Sequence, residues 1–210
     1  MTDPDDKSTA TDGIRLVVGI LAGGHSKRMG QPKALLPLAG QTTLIEHVAG
    51  VAARLRPAPE EIVILGQAIP LPASLATCRI LPDPTPDAGP LAGLCSLLDY
   101  ADNRWGLLMA CDMPLLDIPV LARLLEQADT TVDAVVFVCD DRPGTFHSCC
   151  ALYHPRMYPA AVEELKKGKR SIRQVLARVR TVILQPSQQD LLQLANINTP
   201  EDYERLCGRH

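Results

Sequence analysis

No apolar run in this chain approaches the length of a membrane-spanning helix. Its opening stretch, MTDPDDKSTATDG, is acidic and polar and has no apolar core of the kind a secretion signal needs. Residues 1–13 are expected to form a disordered tail, because such segments bury little apolar surface. Positive charge is not in excess: 21 Lys and Arg stand against 24 Asp and Glu, a formal charge of −3. A general affinity for nucleic acid therefore has no electrostatic support, and any anion must be caught by a local cluster. The seven cysteines are odd in number and include no CxxC pair. Neither a disulfide framework nor a paired-ligand zinc site is expected, and the reading is a reducing cytosol. Internal repeats and low-complexity stretches are absent as well.

A chain of 210 residues, 46% hydrophobic, is enough for a sizeable core. Its organising stretch is Leu21-Ala-Gly-Gly-His-Ser-Lys-Arg-Met-Gly-Gln-Pro-Lys33. An apolar run at 15–20 precedes it and reads as a buried strand; residues 42–55 follow and read as a helix. Gly23 and Gly24 let the backbone turn sharply and approach a ligand, and Gly30 adds a third flexible point. Lys27, Arg28 and Lys33 place three cations close together. A strand running into a glycine-rich basic loop is a phosphate cradle, with amide donors and side-chain charge; a glycine turn with a solvated basic rim is the plain alternative. Two other phosphate motifs are excluded. Lys33 follows Pro32 and precedes Ala34, so there is no Gly-Lys-Ser/Thr, and no GxGxxG spacing occurs near Gly24.

Thr43 and Glu46 form a capping box, and Leu44, Val48, Val51 and Leu55 recur at helical spacing. Strands are predicted at 61–65, 78–81, 105–110, 133–138, 148–153 and 180–184, with helices at 90–101, 117–128, 156–165 and 171–178. Thr199, Pro200 and Asp202 begin a closing helix. The stiff loop Pro82-Asp-Pro-Thr-Pro-Asp-Ala-Gly-Pro90 ends at a helix start where Gly89 and Gly93 leave room for a ligand. Asp112 follows a buried strand, where α/β sheets place their ligands; Asp117 is better placed to cap the next helix. The basic run at 166–170 reads as a solvated helix terminus. Alternating strands and helices indicate an α/β sandwich with a mainly parallel sheet, to which the 133–153 region can add an antiparallel member. No linker divides residues 14–210, which read as a single domain.

The stretch from Leu21 through Leu36 meets every fixed position of LAGG-x-S-x-RMG-x-x-K-x-LL. It resembles the signature of nucleotidyltransferases that activate a small phosphate with a nucleoside triphosphate. Among them it is most similar to the molybdenum cofactor guanylyltransferases, the MobA-like family. Asp83 before its proline-rich loop, Gly89-Pro-Leu-Ala-Gly93, Cys111-Asp-Met-Pro114, the stretch from His147 to Tyr153 and Asn196-Ile-Asn-Thr-Pro-Glu-Asp202 resemble later blocks of the family, in the same order.

The resemblance implies a three-layer α/β sandwich with a mainly parallel, Rossmann-like nucleotidyltransferase sheet. It implies that Leu21, Ala22, Gly23 and Gly24 contact a nucleotide, that Lys33 binds phosphate, and that Asp83 meets the nucleoside end. Asp112 is implied as a magnesium ligand that also contacts the nucleotide, and Arg28, Lys33 and Asp112 as the catalytic groups. Gly89, Gly93, Asn196 and Asn198 are implied to shape the second-substrate region. The expected reaction joins GMP from GTP to the phosphate of molybdenum-bound molybdopterin, with Mg²⁺ as cofactor and pyrophosphate as by-product. Transient contact with proteins that supply or accept the cofactor goes with it; nucleic acid and membrane do not. One position departs: the family often carries an asparagine after the second strand, where this chain reads Ile64-Leu65-Gly66-Gln67. A cytidylyl or sugar-phosphate transferase, or a nucleotide-binding regulator without turnover, are the other readings open to the sequence.

Overall fold

A computed structural model of the chain describes residues 13–22, 32–38, 42–139 and 144–208. The expected tail therefore lies outside the described residues, apart from Gly13. Strand β1 is Leu16–Leu21, and its first five residues are buried, as in a central strand covered on both faces. A two-residue antiparallel pair, β2 (Pro37–Leu38) and β3 (Thr42–Thr43), precedes the first helix, so the first two residues of the span read as helix, 42–55, are strand. Helix α1 (Leu44–Ala53) starts on the complete Thr43/Glu46 capping box. Leu44, Val48, Val51 and Leu55 are all buried, as their spacing predicts.

Strands β4 (Glu61–Leu65) and β5 (Arg79–Leu81) lead to helix α2 (Pro90–Ala101), with Pro90 in its first turn. Strand β6 (Trp105–Ala110) leads to α3 (Ile118–Leu125), whose first amide donates to the Asp117 carboxylate at 2.8 Å. That assigns the capping role to Asp117 and leaves Asp112 without it. Then come β7 (Ala134–Phe137), β8 (Cys150–Tyr153), α4 (Tyr158–Lys166), α5 (Arg173–Leu176), β9 (Thr181–Leu184), α6 (Gln188–Gln193) and α7 (Pro200–Cys207).

The seven long strands form one sheet in the order β5-β4-β1-β6-β8-β7-β9. All pairings are parallel except those of β8, which lies antiparallel between β6 and β7. The antiparallel member anticipated in the 133–153 region is thus β8, and it is inserted rather than added at an edge. Val18, Ile20, Ile64, Leu107, Met109 and Phe137 pack on one face against α1 and α3. Val17, Val63, Leu65, Leu108, Ala151 and Tyr153 pack on the other against α2, α4 and α5. This is the three-layer α/β sandwich expected from the alternation of elements. A third, small cluster joins Leu36, Leu44 and Ile197, with Leu38, Tyr203 and Leu206 against it, and so seats α7 on the segment around β2.

The chain leaves β1 toward β4 on one side and reaches β6 on the other. The strand order therefore reverses at β1, and open α/β sheets bind ligands in the crevice beyond the carboxyl ends of the strands at such a point. Among the described residues no helix is long and apolar enough to cross a membrane.

Candidate active site

At the carboxyl edge the ladder runs one residue past each strand. The Ala22 amide donates to the Leu65 carbonyl at 3.1 Å, the Cys111 amide to the Leu21 carbonyl at 3.2 Å, and the Gly66 amide to the Leu81 carbonyl at 3.0 Å. Residues 22, 66 and 111 thus form one row, and Asp112 lies one residue beyond it. Its side chain is only 17% exposed, and Oδ2 accepts from the Lys33 ammonium at 3.3 Å. Oδ1 is buried with no hydrogen-bond partner. Burial pushes the Asp112 carboxyl above its ordinary pKa, and the Lys33 charge only partly offsets this.

Lys33 reaches Asp112 from the short helical turn Lys33–Leu35, which follows the extended Pro32. Its ammonium also donates to the Ile197 carbonyl at 2.6 Å and to Asn198 Oδ1 at 3.3 Å. In turn the Ile197 amide donates to the Asp112 carbonyl at 2.9 Å. Three segments far apart in sequence therefore meet at one cation and one carboxylate. Two thiols lie close by. Cys111 is pushed up to about 12 and Cys149 to about 11, first by burial and then by the Asp112 charge. Both stay neutral near pH 7, so the negative charge here is that of Asp112.

Asp83 stands two residues beyond β5. Its Oδ1 is also buried without a partner, and burial, then the Asp87 charge, raises its pKa. Gly93 separates it from β1: a Cβ there would lie 2.4 Å from Leu21 Cδ2 and 3.8 Å from Asp83 Oδ1. The bare Cα lets the Leu21 side chain pack directly against α2 beside Asp83. Gly89 does something different. Its φ of 71° and ψ of −166° suit glycine alone, and a Cβ would press on the Arg170 carbonyl at 3.1 Å. That carbonyl accepts the Leu91 amide at 3.2 Å, capping α2. Asn196 Oδ1 is buried and unpartnered.

Among the described residues four buried side-chain oxygens lack a partner, and three of them belong to Asp83, Asp112 and Asn196. Buried polar groups are as a rule satisfied, so acceptors left without partners beyond the carboxyl ends of β5 and β6 point to donors or cations supplied by a ligand. Of the residues singled out from the sequence, the structure brings Lys33, Asp112 and Asn198 into contact and sets Leu21, Asp83 and Gly93 side by side. Gly89 lies against Arg170. Gly23, Gly24 and Arg28 lie outside the described residues. Gln67 is exposed at the end of β4. Two participants escape sequence reasoning because they act through backbone: the carbonyls of Ile197 and Arg170. In the 166–170 run, read as solvated, Lys167 is engaged by Glu163 and Glu164.

The family model of the MobA-like NTP transferase domain matches residues 18–182. A probable molybdenum cofactor guanylyltransferase of Carboxydothermus hydrogenoformans is 36% identical over 199 residues, 91% of this chain and 94% of that protein. Among solved structures, molybdopterin-guanine dinucleotide biosynthesis protein A of Archaeoglobus fulgidus superposes with a TM-score of 0.74 at 23% identity, over 91% of this chain and 97% of that one. The 2-C-methyl-D-erythritol 4-phosphate cytidylyltransferase of Thermus thermophilus superposes with a TM-score of 0.64 at 16% identity, over 90% and 96%. At those identities the two structures attest the fold, an α/β nucleotidyltransferase sandwich.

Proposed function

The chain belongs to the MobA-like NTP transferase family, and from that footing we propose that it is a molybdenum cofactor guanylyltransferase, joining GMP from GTP to the phosphate of molybdenum-bound molybdopterin and releasing pyrophosphate. The observation that carries the reading is the meeting of Lys33, Asp112 and Asn198 beyond the strand-order reversal, with Asp112 Oδ1 buried and unpartnered.

The physical problem of this reaction is charge, since one anionic phosphate must attack the α-phosphate of a polyanion. No nucleophile or triad from the protein is required; positioning and neutralisation do the work. Lys33 fixes an ammonium charge at the site through three acceptors, and a phosphate oxygen takes over one of those N–H groups. Such a preorganised contact is worth roughly 3–4 kcal/mol at the transition state. Asp83 Oδ1, buried without a partner, is the acceptor for N–H or O–H groups of the nucleoside. Asn196 and Asn198 face the acceptor. Mg²⁺ is the proposed cofactor. Asp112 fits it, as a hard oxygen donor whose Oδ1 has no hydrogen-bond partner. When bound, the ion offsets phosphate charge.

GTP is preferred over CTP and ATP in this reading, and the proteins that deliver or take up the cofactor are transient partners in the cytosol. The test is incubation with equal GTP, CTP and ATP, Mg²⁺ and molybdenum-loaded molybdopterin, followed by mass analysis of the product. A guanine dinucleotide is expected to dominate, because a base edge read by hydrogen bonds rejects analogues that leave site groups unpaired. Transfer of CMP moves the protein to the cytidylyl reading, and absence of pyrophosphate with every acceptor makes it a binding module.

A further inference from the structure

We propose that Asp202 and Tyr203 are positioning residues for Lys33, so that helix α7 sets the geometry of the phosphate-binding ammonium; this rests on the transferase reading above. The ammonium ends a long flexible side chain, and its direction is fixed only by its acceptors. Two of the three acceptors belong to residues 197–198, the Ile197 carbonyl and Asn198 Oδ1. Whatever holds those two residues therefore holds the charge.

Two ties do so from α7. Asp202 Oδ2 accepts from the Asn198 amide at 3.0 Å and from the Thr199 amide at 3.1 Å. A capping box needs only the second of these bonds. In the boxes Thr43/Glu46 and Ser187/Asp190 the carboxylate takes the amide of the N-cap residue, at 2.8 Å and 2.7 Å. Asp202 adds the amide of the residue before the cap, and that residue carries the Oδ1 bonded to Lys33. The second tie is the Tyr203 hydroxyl, which donates to the Pro37 carbonyl at 2.6 Å. Pro37 begins β2, just after the turn that bears Lys33. Leu36, Leu44 and Ile197 close the loop with apolar contact. The circuit from Lys33 through β2, Tyr203, Asp202 and Asn198 back to Lys33 is continuous.

The experiment measures two quantities on Asp202→Ala, Asp202→Asn and Tyr203→Phe. One is the rate at which the Lys33 amine is acylated by a brief pulse of acetic anhydride, read by mass spectrometry. The other is kcat for pyrophosphate release. Asp202→Ala is expected to raise Lys33 labelling several-fold and to lower kcat about tenfold, within the range that a small misplacement of a reacting group costs. Asp202→Asn, which keeps an acceptor oxygen, recovers most of both. Tyr203→Phe moves both in the same direction by less, and decides the matter alone if Asp202→Ala does not fold. In a Lys33→Met background Asp202→Ala adds no further loss of kcat, because it acts through the missing ammonium. Unchanged labelling in folded variants, or full multiplication of the two kcat losses, overturns the proposal. Should the wild-type protein release no pyrophosphate, the transferase reading fails, and the labelling rates alone then decide whether α7 positions Lys33.

Discussion

Replacing Asp112 with Asn separates a ligand-holding carboxylate from a structural one. The side chain is 17% exposed, its Oδ2 is 3.3 Å from Lys33, and its Oδ1 has no partner. Its pKa is raised in the folded protein, by burial first. Near neutral pH, above the ordinary value, the charged form is thus less comfortable folded than unfolded, and the charge itself costs stability. The Lys33 attraction works against this cost without cancelling it. Asn keeps the shape, and Lys33 keeps the Ile197 carbonyl and Asn198. The net effect on folding is expected to be between neutral and about 1 kcal/mol stabilising. For a domain of this size that raises Tm by no more than about 4 °C. Turnover behaves otherwise. Losing the preorganised anionic ligand should cost on the order of 100-fold, which is about 2.7 kcal/mol of activation free energy. Thermal melting and Mg²⁺-dependent pyrophosphate release on the same sample read both quantities. A folded variant with near-normal turnover refutes the assignment of Asp112 to the metal. A drop in Tm with specific activity intact shows a structural aspartate instead.

Gly89→Ala forces a side chain into φ 71°, ψ −166° and against the Arg170 carbonyl; a loss of about 2–3 kcal/mol by denaturant unfolding is expected, whereas an unchanged midpoint shows that the loop relaxes freely. Glu163 is held down to about 2 by hydrogen bonds from Arg178 and then Lys167. A carboxyl with a lowered pKa stabilises above its ordinary value of 4.5 and loses this as pH falls through about 2. Glu163→Gln should therefore melt below wild type at pH 7, with the gap closing as pH falls from 4.5 toward 2; a gap independent of pH points to packing rather than charge.

The strands and long helices were legible because their signals are local. The Thr43/Glu46 and Thr199/Asp202 boxes and the Asp117 cap stand in the structure as the residues suggest. Helix α6 was not legible, although Ser187 and Asp190 form a capping box of the same kind. It spans only six residues without an apolar stripe, and is anchored by the pairing of Arg123 with the buried Asp190, a contact set by tertiary structure. The insertion of β8 between β6 and β7 was equally hidden, since a hairpin-like pattern says nothing about which neighbour a strand will take. At the site, Lys33, Asp112 and Asn198 were legible as residues, and Asp83 as a carboxylate before a stiff loop. Their junction through the Ile197 carbonyl was not, because every residue carries a carbonyl and nothing in its side chain announces the bond.

That junction also bears on the order in which the protein is made. A ribosome delivers Lys33 early and Asp112 midway, while residues 197–198 emerge only after β9. A nascent chain can pair its sheet and bury both faces yet hold Lys33 on Asp112 alone. The site therefore becomes complete only when the closing helix has been released from the exit tunnel and has docked beside β2. A chain stalled or clipped before residue 197 lacks two of the three acceptors that hold Lys33, so unfinished copies lack the clamp.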